Sequence, residues 1–236
     1  MNLYFNRLKL IAIAFLIVFG GTNALVKSVS AQSLKKKSIT KKNVARTPQN
    51  GASSLKNIET AVFAGGCFWV LEAVFEHIKG VKEVTSGYSG GKANTAEYEL
   101  VSEGNTGHAE SVKITFDPSQ VSYAQLLKVF FAVAHDPTEL NRQGPDTGTQ
   151  YRSAIFYSSE DQKLLTEKYI AELKAGKTFP KPIVTQVVPL KAFYAAEAYH
   201  QNYLVNHPNQ PYIVINDQPK VEDLKKQFPD LYVEKN

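Results

Sequence analysis

The sequence has a single cysteine, Cys67, and this scarcity excludes several kinds of site. One thiol cannot form an internal disulfide, and it cannot supply the paired thiolates of a CxxC redox motif or a zinc site. Methionine and tryptophan also occur once each, as Met1 and Trp69. A chain so poor in oxidisable sulfur suits a protein that works among oxidants. Any sulfur chemistry in this chain belongs to Cys67.

Acidic residues are missing from positions 1–56, which hold 10 of the 27 lysines and arginines and none of the 22 aspartates and glutamates. The rest of the chain therefore has 17 basic against 22 acidic residues, a formal charge of −5, although the whole chain is at +5. A basic surface for nucleic acid is thus excluded from the main part of the chain, because the positive charge lies in the first 56 positions.

The amino terminus combines basic residues, an apolar run from Leu10 to Phe19 and small residues up to Ala31, which is typical of a signal peptide. The expectation is an exported protein, periplasmic or extracellular. Tethering by an uncleaved leader is the alternative, although the run is shorter than the roughly 20 residues that span a bilayer. We predict a signal peptide over 1–31, a basic disordered linker over 32–56 and one catalytic domain over 57–236.

Cys67 follows an apolar strand pattern and two glycines, Gly65 and Gly66, and it precedes residues with helical spacing. A thiol at a helix N-terminus is favoured as the thiolate, with a pKa lowered from about 8.5 to roughly 3.5–7.5. The two glycines are expected to leave room for a substrate. The alternative is a cysteine that serves only as a small buried apolar residue.

Hydrophobic periodicity predicts an α+β fold, in the order strand, helix, strand, strand, helix, strand, which is that of a ferredoxin-like split βαβ core. Its mixed sheet carries packed helices, and C-terminal extensions wrap the core. The predicted strands are 61–64, 81–88, 111–116, 151–157 and 183–189. The predicted helices are 67–77, 122–134, 159–175, 195–204 and a last turn near 221–228. A long loop is expected over 135–150.

Several residues are candidates for chemistry on local grounds. Strand alternation places Glu110 on the face of three apolar residues, where burial raises a carboxyl pKa and suits it to general acid catalysis; a solvated strand-end glutamate is the alternative. Tyr98 and Tyr151 stand at loop ends that can direct a hydroxyl into a cleft. Asp146 has the context of a turn residue. Any of the five histidines could pair with Cys67 in a thiol protease or acyl-transferase.

Six sequence blocks lie between about Thr60 and Asn206, in an order that is typical of one protein family. They are Gly66–Trp69 (GCFW), Gly87–Gly91 (GYSGG), Gly104–Glu110 (GNTGHAE), His135–Thr138 (HDPT), Asn141–Ser153 (NRQGPDTGTQYRS) and Ala196–Gln201 (AEAYHQ). Together they resemble the peptide methionine sulfoxide reductase A family.

The resemblance implies that Cys67 attacks the sulfoxide sulfur and becomes a sulfenic acid, while Glu110 protonates the oxygen. It also implies that Tyr98, Tyr151 and Asp146 hold that oxygen or a water, and that Phe68 and Trp69 form a pocket for the substrate methyl group. The family substrate is the S epimer, free or in proteins. The segment Asn94–Tyr98 departs from the family's usual proline-containing form.

Many relatives carry a C-terminal cysteine that resolves the sulfenic acid, and this sequence has none. The resemblance then implies a monomer with no bound cofactor or metal, regenerated by an external thiol reductant such as thioredoxin. A non-enzymatic alternative is a surface-binding module held by its basic tail.

Overall fold

The computed structural model describes residues 58–235. The predicted signal peptide (1–31) and basic linker (32–56) lie outside the described residues, and both stay predictions.

The described residues form eight strands. They are β1 (Glu59–Ala64), β2 (Val81–Ser89), β3 (Ala109–Phe116), β4 (Arg142–Gln143), β5 (Asp146–Thr147), β6 (Ala154–Tyr157), β7 (Gln186–Pro189) and β8 (Phe193–Ala195). Six of them make one sheet in the order β7-β6-β1-β3-β2-β8, and β4 pairs with β5 in a separate hairpin. All neighbours in the sheet are antiparallel except β6 and β7. The order β6-β1-β3-β2 is that of the split βαβ core, so the predicted fold class is confirmed.

Within residues 58–235, six α-helices pack with these strands. They are α1 (Phe68–Glu76), α2 (Tyr98–Ser102), α3 (Tyr123–Val129), α4 (Glu160–Ala175), α5 (Tyr203–Asn206) and α6 (Gln218–Gln227). Two π-helical segments, Phe130–Ala134 and Ile213–Asp217, continue α3 and precede α6. Across residues 58–235, no helix has the length and apolarity needed to cross a membrane.

Helix α1 connects β1 to β2, and its buried residues form part of the hydrophobic core. One face of the helix is fully buried: Phe68, Leu71, Val74 and Phe75, together with Ile78 just beyond its end, are at most 1% exposed. Burial of each such side chain contributes about 1.5–3 kcal/mol. This packing holds the start of α1, and therefore Cys67, in a fixed position beside β3.

The structure corrects three predicted elements. The 135–150 connection contains the β4–β5 hairpin, and Tyr151 lies in a 3₁₀ turn (Thr149–Tyr151) before β6 begins. The helix predicted over 195–204 is instead the edge strand β8, a 3₁₀ turn (Ala198–His200) and the short α5. Strand β8 can approach β2 because Gly87 has no side chain; a Cβ there would collide with the Tyr194 carbonyl oxygen.

Candidate active site

Cys67 lies at the N-cap of α1, directly before the first helical residue, as predicted. Its sulfur accepts a hydrogen bond from the backbone N–H of Trp69, which is one of the free donors of the first helical turn. The residue as a whole is 8% exposed. The cysteine thus has the predicted position in the fold.

The expectation that Cys67 rests as a thiolate is wrong. Burial raises the pKa of the Cys67 thiol well above its usual value, and the carboxyls of Glu110 and Asp217 raise it further. The Trp69 N–H acts in the opposite direction, but desolvation outweighs it. Cys67 therefore rests as a protonated thiol in the free protein.

The side on which each glycine lacks a side chain is filled by a neighbouring residue, although Gly65 also lines the cleft that opens at the thiol. A Cβ on Gly65 would lie 2.9 Å from the His135 ring. Gly66 has φ +98°, and a Cβ there would lie 2.6 Å from Cβ and Cγ of Gln143. The glycines are needed for close packing and for a backbone conformation that other residues rarely adopt.

Glu110 lies near the start of β3, with its carboxyl on the core side as the strand alternation predicted. It is 2% exposed, its Oε2 accepts the backbone N–H of Phe68 at 3.0 Å, and it is hydrogen-bonded to the Cys67 thiol. Burial raises the pKa of this carboxyl to about 8, with a further contribution from Asp146. At neutral pH Glu110 is a protonated acid beside the thiol.

The two candidate tyrosines converge on the same place from different loops. Burial and then the Glu110 charge raise the pKa of both Tyr98 and Tyr151, and Cys67 also contributes to each. Tyr98 begins α2, where its backbone N–H donates to Oε1 of Glu197 at 2.8 Å. Both phenols therefore stay protonated and can donate hydrogen bonds near the thiol.

Asp146, at the start of β5, accepts a hydrogen bond from the Tyr212 hydroxyl at 2.5 Å. The Tyr212 hydroxyl is also a hydrogen-bond partner of the Cys67 sulfur. Sequence reasoning missed Tyr212, because it lies 66 positions from Asp146 in a segment without clear periodicity. It also missed Asp217, whose carboxyl is fully buried with no hydrogen-bond partner among the described residues.

The aromatic candidates Phe68 and Trp69 lie in contact, with ring centroids 6.2 Å apart. Phe68 is fully buried, whereas Trp69 is partly exposed and stacks on Tyr203 with centroids 3.7 Å apart and planes within 6°. The Trp69 indole N–H donates to Nδ1 of His200 at 3.2 Å. Trp69 is therefore a fixed apolar wall one residue beyond the start of α1.

All five histidines have partners other than the Cys67 thiol. Their ring nitrogens pair with the carbonyl of Ala73 (His77), with Gly91 and Lys92 (His108), with Phe130 and Ser153 (His135), with Trp69 (His200) and with Tyr203 (His207). The groups that interact with the thiol are instead carboxyls, a phenol and a backbone N–H. Nothing in residues 58–235 assembles a Cys-His pair.

A small cleft of about 60 Å³ opens at the thiol. It is lined by Gly65, Cys67, Val70, Ala134, Gln143, Gly144, Pro145, Asp146, Tyr212, Asn216 and Lys220. A larger hollow of about 440 Å³ lies on the far part of β2 and contains none of the candidate residues. Within the described part of the chain, no three metal-binding side chains are grouped to hold an ion.

Comparison with known proteins agrees with this arrangement. A family model described as peptide methionine sulfoxide reductase matches residues 59–232. Peptide methionine sulfoxide reductase MsrA 2 of Mesorhizobium japonicum is 58% identical over 177 residues, covering 75% of this chain and 91% of that protein. MsrA 2 of a Synechocystis species is 50% identical over 179 residues, covering 76% and 84%.

Solved structures give the same result. Reduced Mxr1 of Saccharomyces cerevisiae matches with a TM-score of 0.61 and 32% identity, covering 65% of this chain and 87% of that one. Methionine sulfoxide reductase A of Corynebacterium diphtheriae matches with a TM-score of 0.58 and 34% identity, covering 66% and 78%. This chain therefore belongs to the peptide methionine sulfoxide reductase A family and is an enzyme that reduces methionine sulfoxide.

Proposed function

We propose that this enzyme reduces methionine-S-sulfoxide, free or in proteins, through a sulfenic acid on Cys67 that an external thiol then removes. The observation that carries the proposal is the direct pairing of the thiol with a protonated carboxyl. Glu110 is hydrogen-bonded to Cys67, and burial raises its pKa to about 8. The nucleophile and the acid that sulfoxide reduction requires are thus adjacent at neutral pH.

The Cys67 sulfur attacks the sulfoxide sulfur, and a sulfur–sulfur bond forms while the sulfur–oxygen bond breaks. Glu110 gives its proton to that oxygen, because an unprotonated oxide is a very poor leaving group. The oxygen takes a second proton, the one lost by the thiol, and leaves as water. A water molecule then adds to the Cys67 sulfur and returns a proton to Glu110. The thioether departs with the electron pair, so the methionine sulfur is reduced by two electrons and Cys67 is oxidised to the sulfenic acid.

The phenols of Tyr98 and Tyr151 stay protonated in their half-buried positions, which supports a role in holding the sulfoxide oxygen. Such donors stabilise the negative charge that the oxygen carries before it is protonated. Trp69, stacked on Tyr203, supplies the apolar wall for the substrate methyl group, with Phe68 behind it. Asp146 is the least direct of these candidates, because its carboxylate is engaged by Tyr212.

Regeneration uses a thiol from another molecule, because the sequence has one cysteine. That thiol attacks the sulfenic sulfur, water leaves, and a second thiol reduces the mixed disulfide to restore Cys67. A thioredoxin-like protein, acting on a monomer without a bound cofactor, is our proposal for the donor. The basic leader pattern supports export as the setting for this repair.

The deciding experiment follows the single thiol by mass. Reduced enzyme is mixed with a methionine-S-sulfoxide peptide and dimedone, without reductant. We expect the peptide to lose one oxygen per enzyme and Cys67 to gain the dimedone adduct of a sulfenic acid. The R-sulfoxide peptide serves as the control and should not react. Unchanged peptide, or a thioester on Cys67, contradicts the proposal.

A further inference from the structure

The carboxylate of Glu197 joins two elements near the active site. Its Oε2 accepts the hydroxyl of Tyr88 at 2.8 Å, and its Oε1 accepts the backbone N–H of Tyr98 at 2.8 Å. Partial burial raises the pKa of this carboxyl, but hydrogen bonds from backbone N–H groups and from the Tyr88 hydroxyl outweigh burial and leave the pKa below its ordinary value. Glu197 is therefore ionised at neutral pH, and both contacts are charge-assisted hydrogen bonds.

Tyr88 is a rigid anchor for this carboxylate. It lies in β2, directly opposite Glu110 of β3 in the strand register, and it is fully buried. The chain next to Glu197 is bound to the same strand, because the N–H of Ala196 donates to the Ser86 carbonyl oxygen at 2.9 Å. Strand β2 thus holds Glu197 both at its carboxylate and at the neighbouring backbone.

Tyr98 has little support from its own segment. It is the first residue of α2, a helix of five residues whose N-cap, Glu97, makes no side-chain capping hydrogen bond. No residue over 92–100 is buried, and a helix this short is not stable without tertiary contacts. The Tyr98 N–H is one of the donors that a helix leaves without an intrahelical partner. Glu197 satisfies this donor from 99 positions away in the sequence.

The ring of Tyr98 is held by the same part of the chain. The N–H of His200 donates to the Glu197 carbonyl oxygen at 3.0 Å, which closes the 3₁₀ turn Ala198–His200. The His200 ring packs on the Tyr98 ring, with centroids 4.3 Å apart, and on the Phe68 ring, with centroids 5.0 Å apart. The turn that begins at Glu197 therefore sets both the backbone and the ring of Tyr98, next to the residue that follows Cys67.

We propose that Glu197 is a positioning residue, which joins the start of α2 to β2 and so directs the Tyr98 hydroxyl toward the substrate oxygen. This role rests on the proposed sulfoxide reduction, in which Tyr98 holds that oxygen. Glu197 itself does not touch the substrate and acts only through Tyr98. A donor stabilises the oxygen only in the correct position, and a displacement of about 1 Å can cost roughly 10²-fold in rate.

Three variants separate the two hydrogen bonds of Glu197. Glu197→Ala removes both bonds, Tyr88→Phe removes only the anchor, and Glu197→Gln keeps an oxygen that can accept the Tyr98 N–H. We expect the single-turnover rate of sulfoxide reduction at pH 7 to fall roughly 10- to 100-fold in Glu197→Ala and less in Tyr88→Phe. Glu197→Gln should recover most of the rate. Tyr199→Phe removes an exposed phenol from the same turn and controls for the loss of a hydroxyl.

A double-mutant cycle distinguishes positioning of Tyr98 from a general effect on the fold. If Glu197 acts through Tyr98, its loss matters little once the Tyr98 hydroxyl is absent. We therefore expect Glu197→Ala to lower the rate of Tyr98→Phe by less than about 2-fold. Equal fold losses in the two backgrounds, or an unchanged rate in Glu197→Ala, overturn the proposal. If circular dichroism shows that Glu197→Ala does not fold, Glu197→Asp, whose carboxylate is too short to reach both partners, takes its place in the cycle.

Hydrogen exchange of the Tyr98 amide tests the contact without requiring catalysis. This N–H donates to Glu197, so it should exchange slowly in the wild type and in Tyr199→Phe, and roughly 10-fold faster or more in Glu197→Ala. The amides of β3 serve as the reference and should not change. Exchange at Tyr98 that is unaffected by Glu197→Ala overturns the proposal. If this exchange responds but methionine sulfoxide is not reduced, the contact stands and the proposed function fails.

Discussion

The backbone N–H of Phe68 and Oε2 of Glu110 are joined by a 3.0 Å hydrogen bond across 42 positions of sequence. The bond connects the first residue of α1 with the start of β3, so the thiol before the helix and the acid on the strand share one rigid frame. It also satisfies a helix N-terminal donor that would otherwise be buried without a partner. A single contact thus both closes the helix end and sets the acid beside the nucleophile.

Glu110→Gln keeps an oxygen that can accept the Phe68 N–H but removes the acidic proton. We expect the sulfoxide reduction rate at pH 7 to fall by roughly 10²–10⁴-fold, as for a lost general acid. Because burial raises the Glu110 pKa to about 8, the wild-type rate should decline as the pH rises through that value and the acid ionises. Single-turnover reduction of a sulfoxide peptide from pH 6 to 10 measures both effects. If the alkaline decline in rate persists in the variant, a group other than Glu110 causes that decline.

Asp217 makes stability depend on pH. Burial raises the pKa of this carboxyl from 3.8 to about 8, so between these values the folded protein holds a proton that the unfolded chain has lost. Unfolding in this window therefore releases that proton, so the free energy of unfolding decreases as the pH rises from about 4 to about 8.

Asp217→Asn removes this dependence, because an amide does not ionise. We expect the stability of the variant relative to the wild type to increase as the pH rises from about 4 to about 8, by roughly 1.4 kcal/mol per pH unit at most, and then to level off. Urea unfolding at several pH values measures it. Asp230→Asn, at an exposed aspartate near the carboxyl terminus, is the control. A pH-independent difference between Asp217→Asn and wild type would contradict the explanation.

The parts of the site that could be predicted from sequence depend on local geometry. The N-cap position of Cys67 follows from glycines and helical spacing, and the buried carboxyl of Glu110 follows from strand alternation with Val112, Ile114 and Phe116. The thiol pKa could not be predicted in this way. The helix N-terminus that lowers it is a local feature, whereas burial, which raises it most, and the carboxyls of Glu110 and Asp217, which raise it further, depend on tertiary packing.

Tyr212 and strand β8 show the other limit of sequence reasoning. Tyr212 reaches Asp146 only where its segment folds against the β4–β5 hairpin, and a hairpin of two-residue strands has no detectable period. Strand β8 has three residues, and it can pair with β2 only because Gly87 has no side chain. Contacts of this kind depend on tertiary packing, which overrides local preference.

The stack of Trp69 on Tyr203 is expected to hold the substrate pocket. Tyr203→Leu keeps an apolar side chain but removes the aromatic face, which should cost about 0.5–1.5 kcal/mol of stability and loosen the indole. Because Trp69 is the only tryptophan, a red shift of intrinsic fluorescence reports its exposure directly. We expect KM for the sulfoxide to rise more than kcat falls. Tyr203→Phe keeps the stack and should behave as wild type; an unshifted spectrum in Tyr203→Leu would argue against the stack.

Gly66 and Gly144 form a matched pair for testing how closely the β4–β5 hairpin covers Cys67. Both have positive φ, +98° and +56°, but an added Cβ at Gly66 would collide with Gln143 at 2.6 Å, whereas Gly144 has nothing within 4 Å. Gly144→Ala should cost only the backbone strain, about 1–2 kcal/mol. Gly66→Ala bears a greater backbone strain, because φ +98° lies outside the left-handed region, and it must also displace Gln143, so we expect a larger loss of unfolding free energy and a lower kcat. Equal losses in the two variants would mean that the hairpin yields freely and does not constrain the thiol.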